Sequence, residues 1–377
     1  MKKIISFAFL ALMAISVQAV DLDFLGKLIA IPSISADAEQ VNRATRFMRD
    51  YLVKRGVLCT VETMEDGREV LYAATSPGKK HDFVLSVHLD VVPPGQPSHF
   101  TMKRNGDRIE GRGVCDCKGN AVAVAEALCE LVGKNVSVGC IFGPDEEIGG
   151  AGTRWMVEKK GYVPGKMVIV PDAGYGSICY AHKGQTFISI KAKGRSGHSS
   201  RPWNCDDSIS KVMQAYVKIR EIWDRRHPLP ENKWSDVMVP TYVKSDSGAL
   251  NLIPSEMELI LNLRSVNPGA KDELVELAKS VSECEVSVIR HSPPVNSDPD
   301  HPLIKELQKV VSESRGKDVP LDRMLAATDA RWFAGCGVPI AMIGSKGGGA
   351  HAAYEYEEFA SLDELKSTLV QFLLKVK

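Results

Sequence analysis

The sequence predicts a discontinuous α/β domain with a smaller α+β domain inserted into it. Three observations lead there. Up to about residue 180, apolar runs bounded by Gly and Pro alternate with helical stretches, the pattern of a buried parallel sheet flanked by helices. Near residue 181 the pattern changes to half-exposed strands in the order β-α-β-β-α-β, which fits the ferredoxin-like split unit. Pro293-Pro294 through Pro299 and Pro302 then read as a linker, after which α/β character resumes. The 377 residues exceed one typical domain. The division is therefore 1–19, an export signal; 20–180, the first part of the large domain; 181–293, the insert; and 294–377, the remainder of the large domain.

The elements follow in order. Met1-Lys2-Lys3 is a basic start, residues 4–17 are mostly apolar, and Val17-Gln18-Ala19 ends in the small residue a signal peptidase prefers. The apolar stretch is short for a membrane span of roughly 20 residues, and no later stretch is long enough. The expectation is an exported protein, periplasmic or secreted, with no membrane contact after cleavage. Residues 39–55 form an amphipathic helix with Val41, Ala44, Met48, Tyr51 and Leu52 on one face and Gly56 as its stop. Residues 121–132 form an Ala-rich helix. In the insert, strands at 185–192, 237–243, 256–263 and 285–289 frame helices at 206–224 and 270–282. A helix at 302–314 follows the linker. The last helix opens on a capping box, Ser361 with Glu364, and buries Leu362, Leu365, Leu369, Phe372 and Leu373.

Lys+Arg and Asp+Glu are both 47, so nothing in the charge balance points to nucleic acid or an anionic membrane. The nine cysteines cannot pair completely within one chain and show no disulfide framework, so few or no bridges are expected.

The chemistry sits at strand ends. Phe83-Val84-Leu85-Ser86-Val87 runs into His88-Leu89-Asp90. The run 136–142 leads past Gly143-Pro144 into Asp145-Glu146-Glu147. Met167-Val168-Ile169-Val170 runs into Pro171-Asp172. Ligands in open α/β sheets bind beyond the carboxyl ends of the strands, so three strands deliver His, Asp and Glu to one rim, a pattern of metal-dependent hydrolysis. His88 and Asp90, two apart, point the same way, and a carboxylate behind a metal-bound His fixes its tautomer. Asp116 lies in the Gly-rich turn Gly111-Arg112-Gly113-Val114-Cys115-Asp116 before a helix; simple N-capping is the alternative. The flanking Cys115 and Cys117 are soft donors, but alternate side chains in this C-x-C are expected to point away from Asp116. The adjacent Glu146-Glu147 pair is costly to bury without a cation, and its diverging side chains suit one metal ligand and one general base; an exposed acidic loop is the alternative. His351, after Gly347-Gly348-Gly349-Ala350, is a further ligand candidate.

In this order the motifs resemble the M20 family of co-catalytic zinc hydrolases, the group of bacterial glutamate carboxypeptidases, aminoacylases, acetylornithine deacetylase and succinyl-diaminopimelate desuccinylase. The matching stretches are Ser86-Val87-His88-Leu89-Asp90-Val91-Val92-Pro93; Gly111-Arg112-Gly113 with Asp116-Cys117-Lys118-Gly119; Asp145-Glu146-Glu147-Ile148-Gly149-Gly150; Asp172; Gly197-His198-Ser199-Ser200; and Ala350-His351-Ala352. The resemblance implies two zinc ions per subunit, with cobalt or manganese as substitutes. His88 and Asp172 would hold one, Glu147 and His351 the other, and Asp116 would bridge them. It further implies that Asp90 orients His88, that Glu146 is the general base, and that His198 reaches the site of a partner subunit to hold the oxyanion. Asn251, Arg264 and Gly348 match substrate-binding positions. The insert becomes a lid and dimerisation domain, and the protein a homodimer. Cys115 and Cys117 stand where the family more often has Ala and Met. Pro171-Asp172-Ala173-Gly174 differs from the Gly-Glu-Pro of the biosynthetic deacylases.

The expectation is a zinc exopeptidase of carboxypeptidase type acting on small peptides or amino-acid conjugates with a free carboxylate. An N-acyl-amino-acid deacylase is the alternative, and a non-catalytic binding protein on the same scaffold a more distant one.

Overall fold

The computed structural model describes residues 19–377. The expected export signal, up to residue 18, lies outside the described residues. Besides a four-stranded sheet of Gly347–Gly348, Tyr356–Glu358, Arg108–Glu110 and Lys103–Asn105, the large domain is built on one main sheet. Its strands run in the order Leu58–Thr63, Glu69–Ala74, Val138–Gly143, Lys80–His88, Val163–Val170, Ile340–Met342, Ile178–His182 and Val295–Asn296, with Leu321–Met324 also paired to Ile178–His182. The four central strands, from Val138–Gly143 to Ile340–Met342, pair in parallel. Their apolar runs are almost wholly buried because helices cover both faces of the sheet. One face carries the larger core, where the helices Lys118–Leu131 and Phe359–Lys375 pack under Phe83, Leu85 and Ile169.

The helix Ala38–Val53 buries Val41, Ala44, Met48, Tyr51 and Leu52, and Gly56 leaves it at φ 84°, a left-handed conformation that costs glycine little. The closing helix spans Phe359–Lys375 and departs from the capping-box expectation. Its N-cap is Glu358. Ser361 lies inside the helix and is buried, donating to the Glu358 carbonyl at 2.6 Å. Glu364 instead accepts from Tyr175 at 2.8 Å and from Arg315 at 2.8 Å. Tertiary partners took Glu364, and Ser361 accepts from the Lys346 backbone at 2.8 Å as well as donating within its own helix.

The insert is an antiparallel sheet in the order Val237–Ser245, Glu256–Ser265, Gly184–Lys193, Glu285–Ser292. The helices Ser208–Arg226 and Ala270–Val281 pack on one face of it around Ile190, Ile219, Trp223, Leu261 and Leu274. Its chain order is β-α-β-β-α-β. A separate two-residue ladder joins Gly197–His198 to Leu252–Ile253. All nine cysteines are free thiols.

Candidate metal centre

Parallel pairing sets the geometry of the rim. His88 closes the strand Lys80–His88 and stands in register with Gly143, which closes Val138–Gly143. Glu146 and Glu147 follow in a single 3-10 turn, Glu146–Ile148. Asp172 comes two residues after Val163–Val170, on the other side of the His88 strand. Adjacent parallel strands end on the same side, so the three segments meet without any long-range coincidence.

Two more segments complete the rim. Asp116 precedes the helix Lys118–Leu131, but its carboxylate does not cap that helix. It lies 2.9 Å from His88 Nε2 and 3.2 Å from His351 Nε2. His351 follows the short strand Gly347–Gly348 and is held at φ 64°. A non-glycine residue there carries about 1 kcal/mol or more of backbone strain, a mark of functional sites. Its Nε2 also lies 2.9 Å from Glu147 Oε2.

The ligand atoms fall into two groups, each within 4.8 Å: His88, Cys117 and Asp172; and Asp116, Glu147 and His351. Cys117 therefore does not turn away from the rim as the C-x-C spacing suggested. Its thiol stands with the His88 and Asp172 atoms, whereas Cys115 lies against Gly347.

Electrostatics mark the rim as built for a cation. Burial pushes the Glu147 carboxyl up to about 7, helped by repulsion from Asp116. Burial and repulsion from Asp116 push Asp172 up to about 7 as well. Asp116 goes the other way: burial opposes its charge, but hydrogen bonds from His351 and His88 outweigh it and hold the carboxyl well below its ordinary value. The hydrogen bond to Asp116, with the nearby Glu147 charge, raises His351 to about 9. Glu147 Oε1 is buried without a hydrogen-bond partner among the described residues. Several carboxylates, two imidazoles and an orphaned buried oxygen are costly together unless a positive charge joins them. Both groups are donor sets of the kind that hold divalent ions.

Two buried carboxylates hold the ligand loops in place. Asp90 accepts from the backbone of Glu146 at 3.0 Å, from that of Glu147 at 3.3 Å and from Ser35 at 2.7 Å. Its Oδ1 lies 3.3 Å from His88 Nδ1, whose shorter contact, 3.0 Å, is to the Asp90 carbonyl. Asp90 thus ties the His88 strand to the Glu146–Glu147 turn, a wider task than orienting one ring. Glu355 accepts from the backbone of Gly113, Cys115 and Asp116 at 2.9–3.1 Å and pairs with Arg112 at 2.7 Å. Arg112 in turn donates to the Ala352 carbonyl at 3.1 Å, which joins the Asp116 loop to the His351 loop.

Glu146 does not touch the ligand groups by hydrogen bond. Its Oε1 accepts from Arg331 at 2.9 Å, and Arg331 also faces Asp329 at 3.3 Å. Burial and the Asp329 charge push the Glu146 carboxyl well up, while Arg331 pulls against them. Sequence reasoning missed Arg331, Asp329, Glu355 and Arg112. The available signal was the burial of charge in otherwise apolar or glycine-rich surroundings, as in Thr328-Asp329-Ala330-Arg331 before Trp332-Phe333.

The insert's candidates make no hydrogen bond or ion pair with this rim among the described residues. His198 and Asn251, far apart in sequence, come together across the small ladder, with Asn251 Nδ2 3.5 Å from His198 Nε2. Both are exposed, and among the described residues no hydrogen bond or ion pair links either to the carboxylate–histidine rim. Arg264 lies on Glu256–Ser265 and is half-buried. Its guanidinium makes no hydrogen bond or ion pair among the described residues, and burial and the Arg331 cation both act to lower its pKa. Gly348 pairs with Tyr356, and a side chain there would meet the Tyr356 ring at 3.2 Å.

The sequence profile described as peptidase family M20/M25/M40 matches residues 84–375. A probable carboxypeptidase of Aspergillus clavatus is 27% identical over 288 residues, covering 72% of this chain and 68% of the relative. A probable succinyl-diaminopimelate desuccinylase of Staphylococcus aureus is 25% identical over 381 residues, covering 87% of this chain and 92% of the relative. The crystal structure of an M20 family metallo-carboxypeptidase from Sulfolobus solfataricus superposes with a TM-score of 0.74 at 18% identity, covering 94% of this chain and 98% of that one.

Proposed function

The chain belongs to peptidase family M20/M25/M40, and from that premise we propose that it is an exported zinc exopeptidase of carboxypeptidase type. Its class is a metal-dependent hydrolase of amide bonds. The observation that carries the two-zinc part of this reading is the rim itself. His88 and Asp172 on one side, Glu147 and His351 on the other, and Asp116 in contact with both histidines would hold two zinc ions. When bound, such ions polarise the amide carbonyl and make water a nucleophile at neutral pH.

The chain's own groups supply the remainder. Glu146 takes the proton of the attacking water and passes it to the leaving nitrogen. Arg331 holds that carboxylate in one position beforehand and favours its ionised form. His198, with Asn251 beside it, is the donor for the developing oxyanion once it is brought to the rim. Arg264, half-buried and unpaired near a second cation, suits a free substrate carboxylate, which it can bind bidentately. Gly348 offers backbone close to the substrate.

Homodimerisation through the insert is supported by its outer surface. Ile209, Met213 and Val217 lie four residues apart along Ser208–Arg226 and are exposed, as are Val239, Tyr242 and Val243 on the edge strand Val237–Ser245. An apolar edge of this kind is normally covered. Export is supported by the basic start, the apolar run and Val17-Gln18-Ala19.

A deacylase of N-acyl amino acids is the second reading, favoured by the desuccinylase relative, which aligns over 92% of its length. Rates on peptides with a free carboxyl terminus, set against rates on N-acetyl and N-succinyl amino acids, decide between them. Hydrolysis of the peptides is expected; activity confined to the acylated amino acids overturns the carboxypeptidase reading.

A further inference from the structure

We propose that Cys117 is itself a metal ligand, which makes the rim one soft and one hard position; this rests on the metal reading above. The Cys117 thiol, a His88 nitrogen and an Asp172 oxygen lie mutually within 4.8 Å. Cys117 is fully buried, and its thiol donates to the Pro171 carbonyl at 3.4 Å, an ordinary distance for a sulfur donor. A buried cysteine is often just a small hydrophobe. Here one side of the residue meets the core, but its sulfur meets an imidazole and a carboxylate. The neighbouring Cys115 lies against Gly347 and does not join either donor group.

The second group, Asp116, Glu147 and His351, contains no sulfur. Thiolate ligands select zinc and comparably soft ions, whereas carboxylate and imidazole accept harder ones such as manganese. The second group is also the wetter, since the His351 side chain is 56% exposed while that of His88 is 2% exposed. On ligation the Cys117 thiol loses its proton to solvent and a sulfur lone pair forms the bond to the cation, with no change of oxidation state. The first ion taken up therefore occupies the His88–Cys117–Asp172 position and stays there, and the second exchanges.

Cobalt(II) alone, added to metal-depleted mature protein, tests this. The expected result is a sulfur-to-cobalt charge-transfer band in the near ultraviolet that grows with the first equivalent. Cys117→Ser and Cys117→Met abolish the band, and Cys115→Ser retains it. Competition against a chelator should show the first ion held more weakly in Cys117→Ser by at least the about tenfold that loss of a mere outer-shell partner costs. Two cobalt ions bound without the band, and with equal affinity in Cys117→Ser, overturn the proposal while leaving the metal reading intact. No cobalt bound at all overturns both.

An independent observation carries a second inference. The Val20 backbone nitrogen donates to Asp363 Oδ1 at 2.6 Å, and the Val20 side chain is buried in the main core. Val20 is the residue that follows Ala19, the last residue of the expected export signal. We infer that hydrolysis of the Ala19–Val20 bond leaves an α-ammonium seated on Asp363, where a neutral amide N–H becomes a charged donor; this rests on the export reading. The new ion pair ties the start of the mature chain, and through it the helix Leu22–Ile29, to Phe359–Lys375.

Thermal unfolding of four proteins tests it: chains beginning at Val20 or carrying two extra residues before it, each with Asp363 or Asp363→Asn. The substitution is expected to lower Tm more in the chain that begins at Val20. Equal losses in both overturn the ion pair. Sequencing the exported protein from its N-terminus tests the cut separately, and a first residue other than Val20 overturns the processing step.

Discussion

The two halves of the candidate site are built differently. In the large domain the ligand loops are fastened from behind by buried groups: Asp90 joins the His88 strand to the Glu146–Glu147 turn, and Glu355 with Arg112 joins the Asp116 loop to the His351 loop. In the insert, His198 and Asn251 are exposed and have little more than each other and a neighbouring serine. The difference teaches where the work of each half lies. A group that must hold a cation has to be pre-positioned, because mutual repulsion among carboxylates would otherwise open the site. A group that only has to meet a substrate can stay in solvent until closure or a partner copy brings it in.

Breaking each half in turn should give unequal losses. Glu146→Gln removes the proposed proton acceptor while leaving the rim intact; kcat is expected to fall by about 10²–10⁴ with metal content unchanged. Retained activity would remove Glu146 from the mechanism. His198→Ala probes the other half. A drop in kcat of about 10²–10³, again with metal content unchanged, is expected if it is an oxyanion donor. Full activity from a strictly monomeric preparation would mean that no partner copy supplies it. Arg264→Met should weaken substrates with a free carboxylate by roughly 1.5–3 kcal/mol, chiefly through KM, and should not affect carboxamide analogues. Equal losses on both would sink the carboxylate clamp.

The smallest effect lies in stability and sharpens the contrast from the buried side. Glu357 lies on the short strand beside Gly347, its Oε1 accepting from Ser361 at 3.0 Å while Oε2 has no partner among the described residues. Burial pushes its carboxyl from an ordinary 4.5 up to about 7. The folded protein then holds this proton more tightly than the unfolded chain does. The group's contribution to stability is complete below 4.5 and is lost as pH rises to about 7. Glu357→Gln keeps the neutral form throughout, so its advantage over the parent in free energy of unfolding should grow across that window, by on the order of 1–3 kcal/mol. A pH-independent difference between the two proteins would refute this.

Some of this was legible because it depends on local order alone. The apolar runs ending at His88, at Gly143 and at Val170 lie in adjacent parallel strands, and strand ends in such a sheet share a side whatever the rest of the chain does. The helix at Ala38–Val53 follows from spacing in the same way. The capping box expected at Ser361 does not form because a local motif competes with any tertiary partner, and here Tyr175 and Arg315 claim Glu364. Arg331 was not legible because its partner Glu146 is 185 residues away, and nothing in a single sequence records that pairing. The placement of Cys117 is not legible from C-x-C spacing because side chains alternate along a strand and not through a turn.

By itself the sequence determined three parallel strands of the main sheet, the order of the insert and the residue types at the rim, since periodicity and glycine–proline punctuation act over a few residues. Only the tertiary structure decided which carboxylates fasten the ligand loops, which thiol stands beside His88, and that His198 meets Asn251. Those outcomes rest on distances between segments far apart in the chain, and such distances are fixed by packing.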